Sequence, residues 1–415
     1  MPEYIPGLIG QSKGTGSMRI LFSVPSYWPS QDGVANITEY LAEGLAARGH
    51  EVLIFTSAGN GGLQDLPFRE EHQGVMIERM RVYVRWPLRL KGRDRQSTRR
   101  TYYGRIKSFN PDVLVVVCSQ TWTLDWLIPV LNKIECPKVF YSHGYSQWKE
   151  RYTYKKLLRS RNILGIWEQY LCKRYYDRLY KYIERFDLAI YLSDQNNSAK
   201  YAKVHGLANG KVLENAVEDI FVSPEMQHHF DMSGKGVRYL YVANYNDNKN
   251  QDMLLKAFCD AEIEDCRLSF IGFEDNEYLQ MLNRHLQEWL PKNSSNQVGF
   301  YIHLSREEVC KMYQHSDVFV CASKSENCPI VHCEAAAAGM AVISTNVGNV
   351  SQMDGILLAD NEVQMKEMLE RLYRNRNELA ERGRRLREYM VSRKCRITDK
   401  VDWLEAELRG LMIKG

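Results

Sequence analysis

The stretch ASKSENCPIVHCEAAAAGMAVIS, residues 322–344, decides the fold class of this chain. An apolar run, Val318–Ala322, enters it and predicts a buried strand. A polar loop over 323–328 follows, then an alanine-rich segment typical of a helix. A second apolar run begins at Ala341. The stretch therefore predicts a strand–loop–helix–strand unit, the repeat of a parallel α/β sheet.

The ends of the predicted helix are marked by Pro329 and Gly339. Proline suits the first helical position, where its missing N–H costs nothing. Asn327 or Cys328 is then expected at or next to the N-cap, and Asn is the better cap. Glycine just after the alanine block is typical of a helix C-terminus.

Two carboxylates, Glu326 and Glu334, flank the start of this helix. A helix N-terminus offers unpaired N–H groups at a positive dipole end, which is a common phosphate site. Carboxylates repel phosphate but accept hydrogen bonds from sugar hydroxyls. The pattern indicates a ligand with central phosphates and a sugar at each end, as in a nucleotide-sugar. The alternative is an ordinary βαβ unit with two solvated glutamates.

Composition narrows the class of protein. The 415 residues contain 55 Lys and Arg against 51 Asp and Glu. This near balance of charge does not indicate a nucleic-acid partner. Ten cysteines without zinc-type spacing are typical of reduced thiols in a cytosolic protein. The chain lacks an apolar run long enough for a transmembrane helix. Residues 1–17 are interpreted as a leader or extension and excluded from the fold.

The first half opens with a strand over 18–24, a loop over 25–36, a helix over 37–48 and a strand over 51–56. This βαβ order indicates a Rossmann-like sheet. Residues 58–74 are interpreted as loop-rich.

Two residues of the first half are candidate site residues. Gly33 either lets a ligand approach the backbone closely or is a plain turn glycine. His143 follows another strand and is either a site residue at the carboxyl edge or a hydrogen-bonded loop histidine.

The second half repeats the βα order after a predicted linker over 231–236. Its first strand, 238–243, leads into a turn-rich loop over 244–250. We predict an α/β fold with two Rossmann-like parallel-sheet domains facing a central crevice. The predicted boundaries are 18–225, 237–385 and a C-terminal helical segment, 386–415.

Two basic, aromatic stretches lie in the first half, over 79–107 and 148–186. Each contains eleven Lys and Arg residues, against one and four acids respectively. Such stretches favour contact with anionic lipid headgroups. RNA binding and a helix pair packed through its aromatic side chains are the alternatives.

Several of these segments together resemble retaining GT-B glycosyltransferases of family 4, from Met18 to about Leu408. The spacing Glu326-x7-Glu334 within its long surrounding match is the main signature. Supporting matches are NKNQD over 248–252, LENAV over 213–217, the Gly33 loop and the pair His143-Gly144. The family usually has Gly-Arg where this chain has Ala243-Asn244, and Asp32 precedes Gly33 where the family commonly has a second glycine.

The resemblance implies a role for each residue. Glu334 would bind the ribose hydroxyls, Glu326 the transferred sugar, and Lys249 the leaving diphosphate. His143 would face the reacting carbon. The remaining donor-binding positions are Gly33, Asn244, Asn327, Cys328, Ile330 and Val331. The resemblance implies that no metal and no cofactor are needed and that the donor is a UDP- or GDP-sugar. It also implies a C-terminal helix that crosses back to the first domain.

The expected activity is sugar transfer with retention, in the cytoplasm or on the inner face of the membrane. The expected acceptor is a lipid-linked or cell-surface glycan, as in polysaccharide biosynthesis. A soluble transferase acting on a small metabolite or polysaccharide is one alternative. An inactive relative that serves as a binding subunit is the other, since Asn244 replaces a cation.

Overall fold

A computed structural model describes residues 16–30, 32–58, 66–80, 82–85, 89–91, 95–145, 163–228, 230, 236–326 and 328–414. The described chain divides into two compact units. The first comprises residues up to Ile190, Tyr201–Lys211 and the residues from Val401 onward. The second comprises Tyr191–Lys200 and Val212–Lys400.

The first sheet has eight strands in the order β10-β9-β8-β7-β1-β2-β4-β3. Strand β1 pairs in parallel with β2 and β7, whereas β3 and β4 are antiparallel. The strands are β1 (Arg19–Ser23), β2 (Glu51–Ser57), β3 (Arg69–His72), β4 (Val75–Met80), β7 (Val113–Val117), β8 (Lys138–Ser142), β9 (Leu188–Tyr191) and β10 (Gly210–Val212). A separate antiparallel pair joins β5 (Tyr83–Arg85) and β6 (Arg89–Lys91).

The second sheet has six parallel strands in the order β13-β12-β11-β14-β15-β16. They are β11 (Arg238–Val242), β12 (Arg267–Ile271), β13 (Gln297–Tyr301), β14 (Val318–Cys321), β15 (Ala341–Ser344) and β16 (Leu357–Leu358). Numbered within the unit, this is the order 3-2-1-4-5-6 of doubly wound nucleotide-binding folds. The α/β class and the two Rossmann-like parallel sheets are therefore confirmed.

Helices follow most of the strands. They are α1 (Gly33–Ala47), α2 (Arg95–Phe109), α3 (Trp122–Asp125), α4 (Ile163–Ile183), α5 (Asn197–Val204), α6 (Gln251–Cys259), α7 (Glu277–Trp289), α8 (Arg306–Gln314), α9 (Ile330–Ala338), α10 (Glu362–Arg374), α11 (Arg376–Ser392) and α12 (Ile397–Lys414). Short 3-10 helices cover Ile128–Lys133, Asp219–Val222, Pro224–Met226 and Val350–Gln352.

Two local predictions for the first unit were wrong. Helix α1 begins at Gly33 rather than at residue 37, because the Asp32 side chain accepts hydrogen bonds from the amides of Val34 and Ala35. Strand β3 lies inside the predicted loop 58–74. Its sequence, Arg-Glu-Glu-His, shows no apolar alternation, and only its pairing with β4 makes it a strand.

Most of α12, from Val401 onward, belongs to the first unit. Arg48, at the end of α1, lies 2.6 Å from Asp402 and 2.9 Å from Glu405. Lys211 lies 2.7 Å from Glu407. Beneath these ion pairs, Val401 and Leu404 are buried, so the terminal helix is held by apolar packing as well as by charge.

Asp317 joins the beginnings of the two central strands of the second sheet. Its carboxylate accepts hydrogen bonds from the amide and Nη2 of Arg238, at 2.8 and 2.7 Å, and lies 3.1 Å from Nε2 of His228. Burial raises the pKa of Asp317, but the hydrogen bonds from Arg238 and His228 outweigh burial and hold that pKa well below its usual range. The carboxylate is therefore charged throughout the neutral range.

Replacing Asp317 by Asn should lower the free energy of unfolding at pH 7 by about 2–3 kcal/mol, because it leaves Arg238 and His228 facing a neutral group. A depressed folded-state pKa contributes stability above the unfolded pKa of about 4, and this contribution is lost as the pH falls. The difference between wild type and Asp317→Asn should therefore shrink as urea unfolding is repeated toward pH 3.

Asp354→Asn is the matched control, because Asp354 pairs with Arg385 at 2.5 Å on an exposed surface. It should change the free energy of unfolding by less than about 0.5 kcal/mol. Equal losses for both variants would contradict the role assigned to Asp317.

Candidate active site

Two loops leave the second sheet at the point where its strand order reverses, between β11 and β14. Open α/β sheets bind ligands at this point, outside the carboxyl ends of the strands. The loop after β11 spans 243–250 and the loop after β14 spans 322–329. The switch point therefore brings together the predicted lysine loop and the predicted glutamate loop.

Hydrogen bonds join these two loops directly. The Asn248 carbonyl accepts from the Lys324 amide at 2.7 Å, and Nδ2 of Asn248 donates to the Ser325 carbonyl at 3.0 Å. The buried Tyr241 hydroxyl donates to the Lys249 carbonyl at 2.7 Å and lies 2.9 Å from the Ser323 hydroxyl. The backbones that position Lys249 and Glu326 are thus tied to each other.

Lys249 and Glu326 form an ion pair, with Nζ 2.5 Å from Oε1. Their side chains are 26% and 17% exposed, so both remain accessible to a ligand. The two residues are 77 positions apart in the chain. Each residue neutralises the charge of the other. Lys249 can exchange its partner for a phosphate, and Glu326 can exchange its partner for a hydroxyl.

Glu334 lies in α9 with its carboxylate almost fully buried. The Tyr313 hydroxyl donates to Oε2 at 2.8 Å, and Arg306 donates to Oε1. Burial, and then the charge of Glu334, raises the pKa of Tyr313 well above its usual range, so the phenol keeps its proton. A carboxylate has about four acceptor positions, so these two donors leave capacity for hydroxyls.

Arg306 is held on two further sides. It lies 2.5 Å from Glu218, and its guanidinium lies 5.0 Å from the centroid of the Phe221 ring. Burial lowers the pKa of Arg306, but Glu334 and Glu218 raise it above its usual range. Tyr313 and Arg306 were not identified from the sequence, since neither lies in a recognisable motif.

Helix α9 begins one residue later than predicted, at Ile330, with Pro329 at the N-cap in an extended conformation. Pro329 makes no side-chain capping bond. The amides of Ile330 and Val331 lie in the first helical turn, where N–H groups lack intrahelical partners. The Cys328 carbonyl accepts from Nδ2 of Asn215 at 2.7 Å, which fixes the approach to the helix. Asn327 lies outside the described residues.

His332 is a further buried group that the sequence analysis did not single out. It lies in α9, and its Nε2 is 2.8 Å from the Ser344 hydroxyl. Burial lowers the pKa of His332 to about 4, and the charge of Glu326 opposes this shift. The imidazole is therefore neutral near pH 7.

Asn244 stands where the family usually has arginine, and its side chain is exposed. Its carbonyl accepts from Nε2 of the buried Gln251 at 3.0 Å. The backbone at this position is therefore fixed, but the side chain brings no positive charge to the loop. Lys249 is the cation that this loop directs to the switch point.

In the first unit, Gly33 and His143 lie at the carboxyl side of the sheet. Gly33 is the first residue of α1, and a Cβ added there would meet no atom within 4 Å. His143 directly follows β8 and is half-buried. Burial lowers the pKa of His143 to about 4, while the Asp32 carboxylate raises it, so the N-cap of α1 lies close to this histidine. Cys118 belongs to the same group, because burial and then Asp32 raise its pKa to about 12.

The two basic stretches divide into core and surface. Tyr102 of α2 and Tyr176 of α4 are buried and belong to the core, so these two side chains are not part of a surface. Trp167, Tyr170 and Leu171 of α4 are exposed. The parts of the predicted surfaces at 81, 86–88, 92–94 and 148–162 lie outside the described residues. In the described chain, none of the helices is both long and apolar enough to cross a membrane.

Comparison with known proteins assigns the chain to a family. The model "Glycosyltransferase Family 4" matches residues 31–192, and "Glycosyl transferases group 1" matches residues 224–389. The chain belongs to the family 4 type of GT-B glycosyltransferases. Each family model falls on one half of this GT-B chain, and the second includes Glu326 and Glu334.

Individual relatives are distant. Spore coat protein SA of Bacillus subtilis is 35% identical over 130 residues, which span 30% of this chain and 34% of that protein. Sucrose-phosphate synthase of Thermosynechococcus elongatus has a TM-score of 0.73 at 16% identity, covering 96% of this chain and 100% of the other. Anabaena Alr3699/HepE, in complex with UDP and glucose, has a TM-score of 0.65 at 15% identity, covering 95% and 100%. At such identities the structures show the shared GT-B fold.

Removing the Tyr313 hydroxyl tests how firmly Glu334 is held. Tyr313→Phe should lower the free energy of unfolding by about 1–2 kcal/mol, because a buried carboxylate loses a hydrogen bond. Urea unfolding at pH 7 measures the loss.

Tyr301→Phe is the control, since the Tyr301 hydroxyl contacts exposed Arg267 at 2.5 Å. The free energy of unfolding of this variant should fall by less than about 0.5 kcal/mol. A loss as small for Tyr313→Phe would show that Arg306 alone holds Glu334.

Proposed function

We propose that the protein transfers a sugar from a nucleoside-diphosphate sugar to an acceptor hydroxyl with retention of the anomeric configuration. The observation that supports this most is the Lys249–Glu326 ion pair at the switch point, where Nζ and Oε1 are 2.5 Å apart. It combines a cation for phosphate and a carboxylate for hydroxyls on two loops that are bonded to each other. The UDP and glucose in the Anabaena structure support a UDP-sugar as the first donor to test.

Donor binding would divide the ion pair between two parts of the ligand. Lys249 would turn to the diphosphate, where negative charge grows as the sugar–oxygen bond breaks. Glu326 would then accept hydrogen bonds from the transferred sugar. The amides of Cys328, Ile330 and Val331, with that of Asn327, would hold the phosphates at the start of α9.

Glu334 would accept the ribose hydroxyls with its remaining lone pairs. Arg306 and Tyr313 already hold this carboxylate, so little side-chain freedom is lost when ribose binds. In the first unit, Gly33 is the proposed donor-binding residue and His143 the proposed catalytic residue.

Retention fits the roles proposed for the two glutamates. With Glu326 on the hydroxyls of the transferred sugar, and Glu334 on the ribose and on Arg306, neither carboxylate is assigned as nucleophile or base. In the proposed reaction the bond from the sugar carbon to the diphosphate oxygen breaks. The acceptor oxygen forms its bond on the same face, and its proton passes to the departing diphosphate.

The proposed acceptor is a lipid-linked or cell-surface glycan, reached from the cytoplasm at the inner face of the membrane. Three side chains of α4 support this acceptor, because Trp167, Tyr170 and Leu171 are exposed within a basic stretch. Exposed aromatic and apolar groups beside basic residues favour anionic lipid surfaces. The fold shared with sucrose-phosphate synthase supports the alternative, a soluble acceptor.

Single substitutions in the ion pair test the proposed activity. Lys249→Ala should lower kcat/KM for sugar transfer by about 100-fold or more, because one donor to the leaving group is lost. Glu326→Gln should cause a similar loss. Lys324→Ala is the matched control: Lys324 joins the same two loops through Asp247, at 2.7 Å, on the exposed side. It should keep kcat/KM within about threefold of wild type.

Two further measurements complete this test. One is donor hydrolysis in the absence of acceptor, and the other is the thermal shift caused by UDP, GDP and their sugars. At equal concentration, a nucleotide that binds more tightly raises the melting temperature more, because stabilisation grows with the logarithm of its concentration divided by Kd. Binding without hydrolysis or transfer would support the inactive binding subunit. Full transfer by both Lys249→Ala and Glu326→Gln would disprove the site assignment.

Vesicle flotation tests the acceptor class. The wild-type protein should float with anionic vesicles at low salt, and Trp167→Ser should reduce the bound fraction severalfold, because a large exposed ring is removed. Phe273→Ser is the control, since Phe273 is 47% exposed but lies in the other unit. Absence of flotation by wild type would leave the soluble transferase as the better proposal.

A further inference from the structure

Three potential metal ligands converge in the first unit, apart from the groups described above. Glu39 and Glu43 lie one turn apart on α1 and therefore on one face of the helix. His72 is the last residue of β3. Its Nε2 lies 3.5 Å from Oε1 of Glu43 and 4.0 Å from Oε1 of Glu39. One ligand atom from each of the three residues lies within 4.8 Å of the other two.

These separations are too long for hydrogen bonds but suit a shared ion. Nitrogen and oxygen ligands bind Zn²⁺ at about 2.0–2.2 Å, so tetrahedral ligand atoms lie about 3.3–3.6 Å apart. A direct hydrogen bond would bring donor and acceptor to about 2.9 Å. The Glu39–Glu43–His72 group therefore needs only small side-chain movements to enclose a metal ion.

A buried hydroxyl gives independent support. Tyr27, in the loop after β1, is 3% exposed, and its hydroxyl has no hydrogen-bond partner among the described residues. Burial, then the charges of Glu43 and Glu39, raise the pKa of Tyr27, and Tyr27 directly precedes Trp28, whose ring stacks on His72. Oε1 of Glu43 is also buried without a hydrogen-bond partner in the described chain. Buried polar atoms of this kind call for a bound water or ion.

The histidine is oriented without help from the carboxylates. Its ring stacks on Trp28, with centroids 4.2 Å apart and planes at 17°. The Trp28 carbonyl in turn accepts from Nη2 of the buried Arg79 at 2.9 Å. A preset imidazole reduces the entropy lost when a ligand is bound.

The charges at this cluster also favour a cation. Glu39 and Glu43 have like charges and are both partly shielded from solvent. Their side chains are only 22% and 25% exposed, so solvent screens the repulsion between them incompletely. A divalent cation would remove this repulsion and make both carboxylates good ligands.

We propose that Glu39, Glu43 and His72 bind a divalent transition-metal ion, with the Tyr27 hydroxyl as a fourth group facing it. One imidazole and two carboxylates match Zn²⁺ better than Mg²⁺ or Ca²⁺, which prefer oxygen ligands alone. The ion would join α1 to β3 and so stabilise the helix that begins at Gly33. This role is structural and does not depend on the proposed sugar transfer.

Calorimetric titration of the full chain with ZnCl₂, after treatment with a chelator and its removal, tests the proposal. We expect one ion per chain and a raised melting temperature, and no comparable binding of MgCl₂. Glu43→Gln and His72→Asn should each weaken Zn²⁺ binding at least tenfold. Tyr27→Phe should weaken it less. Urea unfolding without metal establishes that each variant is folded.

His285→Asn is the matched control. His285 also stacks on a tryptophan, Trp289 at 4.4 Å, but faces a single carboxylate, Asp252, at 2.6 Å. This variant should keep the wild-type affinity. Because the chain has ten cysteines, a parallel titration with Co²⁺ identifies the ligands. Absorption without thiolate charge-transfer bands is expected.

Several outcomes would overturn the proposal. They are the absence of stoichiometric Zn²⁺ binding, thiolate bands with Co²⁺, a preference for Mg²⁺ or Ca²⁺, and unchanged affinity in both Glu43→Gln and His72→Asn.

Discussion

The parallel pairing of β11 with β12 on one side and β14 on the other constrains the whole candidate site. In a doubly wound sheet the connections on the two sides of the first strand run in opposite directions, which opens a gap at the carboxyl edge. The loops after β11 and β14 border this gap. At the opposite edge of the sheet, Asp317 strengthens the pairing of β11 with β14, because its carboxylate accepts hydrogen bonds from the Arg238 amide and guanidinium. The position of Lys249 beside Glu326 is a consequence of this strand order.

Charge balance is the second physical feature of the site. Each of the two glutamates faces a cation, so the site combines strong acceptors with little net negative charge. This balance makes two carboxylates compatible with a phosphate between them, since unpaired acids would repel it. Lys249 is accessible and can exchange partners, whereas Arg306 is held by Glu218 as well as Glu334. The Lys249–Glu326 pair is therefore suited to change when a donor binds, and the Arg306–Glu334 pair is suited to stay in place.

Helix α1 connects several features of the first unit. Asp32 caps its start beside Gly33, the Glu39–Glu43–His72 group lies along its middle, and Arg48 at its end pairs with the terminal helix. The second and third of these contacts join α1 to segments remote in sequence. The position of the Gly33 backbone thus depends on packing along the whole helix.

The α/β class and the strand–loop–helix unit around Glu326 and Glu334 could be predicted from the sequence alone. These features depend on local periodicity and on end signals within a few residues. The start of α1 was missed because the Asp32 cap outweighed the apolar pattern. Strand β3 was missed because its sequence is polar on both faces.

Only the tertiary structure decided which side chains meet. Tyr313 and Arg306 reach Glu334 from α8, 21 and 28 positions away, and Lys249 reaches Glu326 across 77 positions. His72 approaches the α1 glutamates only because β3 pairs with β4. Local patterns specify single elements, but contacts between distant residues depend on strand order and on the burial that accompanies it.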